Sequence, residues 1–124
     1  AHARIALVTT GGVVPRGNPD RLESAYASKW LKYPIGALDH LEPGDWQSIH
    51  GGFDTTNVNE EPDRMAPLDA LRELEREGVF QDLADELYTT TGNTAAVPTA
   101  RRFAQEMLKE LRANDVQGVI LTSA

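Results

Sequence analysis

The segment 50–56, HGGFDTT, is where residue types and spacing come nearest to chemistry. His50 and Asp54 are separated by Gly51, Gly52 and an aromatic residue, so an acid/base pair can ride on backbone free to approach a small substrate. Asp54 can orient His50 or stabilise its charged form, and Thr55 and Thr56 add hydroxyl groups. The same residues also describe a plain loop in which Asp54 caps local backbone and His50 faces solvent. Two ligands without a third nearby do not make a metal site, so no metal is expected. His2 and His40 have no comparable neighbours.

Two further polar clusters share a pattern. Thr9, Thr10, Gly11 and Gly12 close an apolar run, and Thr89, Thr90, Thr91, Gly92 and Asn93 close another. Threonine hydroxyls and glycine amides can bind a carboxylate or phosphate through several short hydrogen bonds. The bland alternative is a strand end followed by a tight turn; the glycine spacing of a dinucleotide fingerprint and the lysine of a nucleotide-phosphate loop are both missing. Thr122 and Ser123 end a third run, VQGVILTS. If these runs are parallel strands, every cluster emerges on one side of the sheet, where ligands gather in open α/β folds. On that reading a chain stopping just beyond its last strand has lost its reactive group.

The elements that must carry these clusters follow from periodicity. Residues 4–10 are apolar and β-branched up to a Gly-Gly pair, which predicts a strand buried on both faces. Residues 13–20 read as a loop. Asp20 and Glu23 have capping-box spacing, and with Leu22, Tyr26 and Trp30 they predict a helix over 20–31. Residues 33–63 show no sustained period, and an irregular stretch of that length is usually functional. Helices are expected from Pro67 to Gly78 and, shorter, through Phe80, Leu83, Ala84 and Leu87, with a brief strand or extended turn over 87–91. Pro98 opens the longest helix, with Phe103, Met107, Leu108 and Leu111 as its buried stripe and Asn114 as its stop. A last strand covers 116–122. The order predicts one α/β domain over 1–124: a short parallel sheet flanked by helices, Rossmann-like or flavodoxin-like in three layers, with a long irregular loop region. Trp30 and Trp46 read as core or cover rather than as ligand platforms.

Composition narrows the partners. The 19 acidic against 12 basic residues give a formal net charge of −7, which opposes nucleic acid and anionic lipid over most of the surface. No apolar run is long enough to span a membrane, and the start lacks the basic flank of a signal peptide, so a cytoplasmic location is expected. The chain has no cysteine, hence neither disulfide nor thiolate metal site. Ala1 is no initiator, so a processed or excised N-terminus is expected.

The stretches LVTTGGVVPRGNPDRLES, HGGFDTTNVNEEPDR, LDALRELEREGV, LYTTTGN and DVQGVILTSA occur in this order along the whole chain. In these motifs the chain resembles the selenoprotein subunit of component B of glycine, sarcosine and betaine reductase. The D-proline reductase subunit is more distant, sharing the FD and LREL elements. The resemblance implies a selenocysteine immediately after Ala124 as redox and nucleophilic group, and a UGA codon read as stop would explain its absence. It further implies a pyruvoyl group on a partner subunit of component B, a selenoprotein A, an acetyl-phosphate-forming component C, and a small amino-acid substrate. The activity implied is reductive C–N cleavage giving acetyl phosphate and ammonia or an amine, with this fragment inactive alone. In that setting His50 and Asp54 are candidates for proton carrier and orienter, and the threonine and glycine clusters for the substrate pocket. The rival reading is a non-catalytic domain for small anions or metabolites, or for complex assembly.

Overall fold

The computed structural model describes residues 2–92 and 96–123. At its centre is β1, Arg4–Thr9, whose last four residues are all buried. It is hydrogen-bonded on one side to β5 (Asp82–Thr89) and on the other to β6 (Gly118–Thr122), both parallel to it. A short strand β3, Leu31–Pro34, runs antiparallel along the outer edge of β5, giving the order β3-β5-β1-β6. The sheet is therefore mostly parallel, as the sequence order suggested, with one antiparallel edge.

Alternation along β1 sends successive side chains to opposite layers. Leu7 joins Leu87 and Leu83 of β5 in the larger core, capped by Leu68 and Leu71 of α2 (Leu68–Arg76). Ala6 and Val8 join Ala84 and Tyr88 against Met107 and Leu111 of α3 (Val97–Ala113) on the other face. Each fully buried Leu is worth about 1.5–3 kcal/mol relative to exposure, so these two layers carry most of the stability. Buried Arg72 of α2 donates to the carbonyls of Leu38 (2.8 Å) and Ile35 (2.7 Å), while Glu75 accepts the Leu83 amide at 2.7 Å. Those bonds tie the helix to β5 and to the loop after β3. The helix stops where Gly78 turns left-handed at φ +76°.

Several expectations need correction. Residues 20–31 do not form a helix: Arg21 and Tyr26 have φ of 54°, outside the helical region. Asp20 instead accepts the Tyr33 hydroxyl at 2.7 Å, and Glu23 accepts the hydroxyl and amide of Ser28. Residues 13–20 are not wholly loop, because β2 (Val13–Pro15) pairs antiparallel with β4 (Trp46–Ser48). The irregular stretch 33–63 also contains the short helix α1, Thr56–Glu60, and a 3₁₀ turn at Pro62–Arg64 begins within it. The helix expected through Phe80, Leu83, Ala84 and Leu87 is β5, whose register to β1 shifts between Ile5 and Leu7. On α3, Phe103, Met107 and Leu111 are buried but Leu108 is 45% exposed. Charged side chains of α3 are latched to the 28–32 segment: Glu106 accepts Trp30 Nε1–H at 2.8 Å, Lys32 meets Glu110 at 3.0 Å, and Arg102 reaches the Ser28 carbonyl at 2.8 Å.

Leu87 is fully buried, whereas Leu108 lies on the open side of α3. Leu87→Ala is expected to cost about 2–5 kcal/mol and Leu108→Ala less than about 0.5 kcal/mol, read from urea unfolding midpoints at constant slope.

Candidate functional site

Parallel register places three threonines side by side: Thr9 pairs with Thr89 of β5 and with Thr122 of β6. Registered partners point to the same face, so these side chains form one row across the carboxyl ends of the strands. The chain beyond the row is stitched together by backbone. Thr10 N–H donates to the Thr122 carbonyl (2.9 Å), Gly12 N–H to that of Thr90 (3.0 Å), and Gly92 N–H to that of Thr10 (3.0 Å). The clusters around Thr9, Thr89 and Thr122 therefore share one rim. Ser123 follows β6 there, exposed, while Asn93 and Ala124 lie outside the described residues.

The segment 48–52 joins this rim. Ser48 Oγ–H donates to the Gly11 carbonyl at 2.6 Å, and Ile49 N–H to that of Gly12 at 3.0 Å. Gly12 adopts φ +67°, and a Cβ built on it would stand 2.9 Å from Thr91 Cγ2, 3.1 Å from the His50 amide nitrogen and 3.4 Å from His50 Cβ. Glycine is required there both by the left-handed backbone and by the close packing of His50 and Thr91. At Gly11 a Cβ would fall 2.5 Å from Met65 Cγ, so that side chain covers the turn. The hydroxyls of Thr91 and Thr90 donate to the carbonyls of Glu23 (2.7 Å) and Lys29 (2.9 Å), drawing the 23–29 segment over the same edge.

Not every proposed partner meets. Asp54 is exposed and its Oδ1 accepts the Thr56 amide (3.0 Å) and hydroxyl (2.7 Å), bonds that hold its carboxyl below the usual range. It makes no hydrogen bond to His50 among the described residues and closes a local turn onto Thr56 just ahead of α1. Thr55 serves the same short helix, its carbonyl accepting the Asn59 amide at 2.8 Å. His50 is buried, its ring centroid 5.0 Å from that of Phe53, and burial pushes its pKa down. Its Nδ1 accepts the Gly52 amide at 2.9 Å, and Gly51 N–H donates to the Ser24 carbonyl at 2.9 Å. Gly11 N–H is likewise engaged, with Thr9 Oγ1 at 3.0 Å. The amides of Gly11, Gly12, Gly51, Gly52 and Gly92 thus all donate within the chain, leaving side chains as the donors open to a ligand.

Comparison with known proteins bears on what this rim belongs to. The profile of the family described as glycine/sarcosine/betaine reductase selenoprotein B matches residues 1–124. The chain belongs to that selenoprotein B family. It is 51% identical over 99% of its length to the glycine reductase complex component B subunit gamma of Peptoclostridium acidaminophilum, of which it covers 28%. It is 43% identical, with the same coverage of both chains, to the sarcosine reductase complex component B subunit beta of that organism. The D-proline reductase subunit gamma of Acetoanaerobium sticklandii is 28% identical over 96% of this chain and 48% of that protein. The chain thus spans little more than a quarter of its component B relatives. No solved structure matches it. No helix among the described residues is long and apolar enough to cross a membrane.

Within this selenoprotein B chain, sequence reasoning missed the residues that hold the rim around His50. Ser48 and Met65 lie where no helical or alternating period runs, and Ser24 and Glu23 lie in the segment whose spacing suggested a helix; only their contacts with glycines and threonines of the rim reveal them. Ser48 is itself fixed, its amide donating to Asn59 Oδ1 at 2.8 Å.

Gly12→Ala combines a left-handed backbone with a clash, so a loss of about 1–3 kcal/mol is expected in a denaturation curve. Asp54→Ala removes the turn bonds to Thr56, with an expected loss of about 0.5–1.5 kcal/mol, and leaves the His50 titration midpoint in place. A shift of that midpoint in Asp54→Ala would show that the two side chains are coupled.

Proposed function

We propose that this chain frames the substrate pocket of a component B-type reductase subunit, in a complex that reductively cleaves the C–N bond of glycine, sarcosine or betaine. The observation that carries the reading is the shared rim: strands β1, β5 and β6 bring their threonine ends to one edge, and His50 is packed against it through Gly12. That geometry occurs in a chain matched along its whole length by the selenoprotein B family. In the open α/β arrangement such an edge is where ligands are bound.

The finer reading is that a selenocysteine directly follows Ala124. Strand β6 runs parallel to β1 and delivers Thr122 to the rim, which supports a reactive residue a short way further along the chain. A selenol, ionised at neutral pH, supplies a strong soft nucleophile and a redox group. The pyruvoyl group, placed on another subunit of component B, is left to hold the substrate amine. Selenoprotein A, the acetyl-phosphate-forming component C and a cytoplasmic location complete the proposed setting, with acetyl phosphate and ammonia or an amine as products. The chain's own residues would line the pocket: Thr9, Thr10, Thr89, Thr122 and Ser123 as the hydroxyl wall, Thr90 and Thr91 holding the 23–29 segment across its edge, and His50 as the ring beside it.

The reading is tested by extending the chain through the family's length with cysteine or selenocysteine after Ala124 and timing its alkylation by bromoacetate. A pocket tuned to a carboxymethyl group is expected to alkylate the cysteine form about tenfold faster than a free thiol at neutral pH, the effect of a thiol pKa about one unit lower. An ordinary rate would favour the alternative of a non-catalytic anion-binding or assembly domain.

A further inference from the structure

His50 is held by two bonds of its own, one at its backbone and one at its ring, and by two that anchor its neighbours. The Ser48 hydroxyl bridges the end of β1 to the histidine, donating to the Gly11 carbonyl at 2.6 Å and accepting the His50 amide at 3.3 Å. On the far side the Gly51 amide is anchored to Ser24, and Gly52 N–H donates to Nδ1 at 2.9 Å. An Nδ1 that accepts a hydrogen bond carries no proton, so the neutral ring must carry its proton on Nε2. No carboxylate pairs with the ring among the described residues, and burial disfavours the charged form. Side-chain atoms both sealed from solvent and unpartnered are Glu23 Oε1, Thr89 Oγ1 and Thr122 Oγ1. Nε2 is not one of them and has no hydrogen-bond partner among the described residues, and His50 as a whole is 9% exposed.

From this geometry we propose that His50 serves the rim as a fixed neutral hydrogen-bond donor, offering Nε2–H to an anionic oxygen of a small carboxylate, with Ser48 as its positioning residue. A proton acceptor would need a free lone pair on the ring, and the only one, at Nδ1, is occupied by Gly52. The proposal rests on the reading of this edge as a small-acid pocket and replaces proton transfer at His50 with a static donor. A neutral donor binds a carboxylate without the desolvation cost of a buried imidazolium. Ser48 matters because its single hydroxyl links the histidine amide to the Gly11 carbonyl just after β1; removing it loosens the histidine backbone from that edge and leaves the Gly52 bond to hold the ring.

The test is nitrogen-15 NMR of the histidine rings in the 124-residue chain, with acetate as the probe and chloride at equal concentration as control. Expected are the Nε2-protonated neutral tautomer at pH 7, a His50 midpoint below the ordinary value of about 6.5, and an acetate-dependent shift of Nε2 beyond the chloride effect. Ser48→Ala should lose the acetate shift while keeping its circular dichroism spectrum, and Ser48→Thr, which restores the hydroxyl, should recover it. An Nδ1-protonated ring, a midpoint above about 6.5, or no acetate response in the unmodified chain would each overturn the proposal, whatever the folding of the variants. Retention of the acetate shift in folded Ser48→Ala would overturn the role of Ser48. Slow alkylation of a restored nucleophile would defeat the reductase reading without moving these ring signals, so the two failures are distinguishable.

Discussion

Everything at the rim depends on β1 being paired in parallel on both sides. A parallel pair aligns strand ends of like polarity, so the residues leaving β5, β1 and β6 must emerge together, and a central strand cannot slip without exchanging its two buried faces. Here that would swap Leu7 for Ala6 and Val8 between the layer under α2 and the layer under α3. The register that buries these side chains is the same register that sets Thr9 between Thr89 and Thr122. Core packing and site geometry are thus one constraint.

The rim has features that stability alone would not select. Thr89 and Thr122 each bury a hydroxyl oxygen with no partner among the described residues, and an unsatisfied buried polar group costs about 1–3 kcal/mol. Gly12 stands left-handed with His50 and Thr91 against it, a position where any side chain would force the histidine away. By contrast, the hydroxyls of Thr90 and Thr91 are fully used in pulling the 23–29 segment across the edge. The threonines of one run therefore divide into those that build the wall and those left unsatisfied within it. Edge strand β6 departs from stability in a different way: Val119, Ile120 and Leu121 are all exposed on it, an apolar surface of the kind that promotes association.

How much of this was legible in the sequence varied with the physics of each segment. Strand β1 and helix α3 were plain, because an apolar run ending in Gly11–Gly12 and a long 3.6-residue period opened by Pro98 have few competing readings. Strand β5 was misread because its register shift sets a step of four positions, from Leu83 to Leu87, opposite a step of two, from Ile5 to Leu7. The buried positions Leu83, Ala84 and Leu87 then fall at helical spacing. The false helix over 20–31 had the right residues for a cap, yet Asp20 is drawn to Tyr33 and Glu23 to Ser28, tertiary and loop bonds that outweigh local propensity. The convergence of the threonine clusters was legible, since it follows from parallel order alone. The partnership of His50 was not: sequence proximity suggested Asp54, whereas the bonds run to Gly52 through the ring and to Ser48 through the backbone.

Because the chain contains no cysteine, a single nitroxide attached at Ser123→Cys can report directly on the meeting of strand ends. The β-strands are about 20 Å long, enough for paramagnetic broadening to separate one end of the sheet from the other. The account predicts strong broadening of the Gly11, Gly12 and Thr10 amides and little at Gln81 and Gln117. Broadening at Gln81 and Gln117 with sharp signals at Thr10 to Gly12 would contradict it.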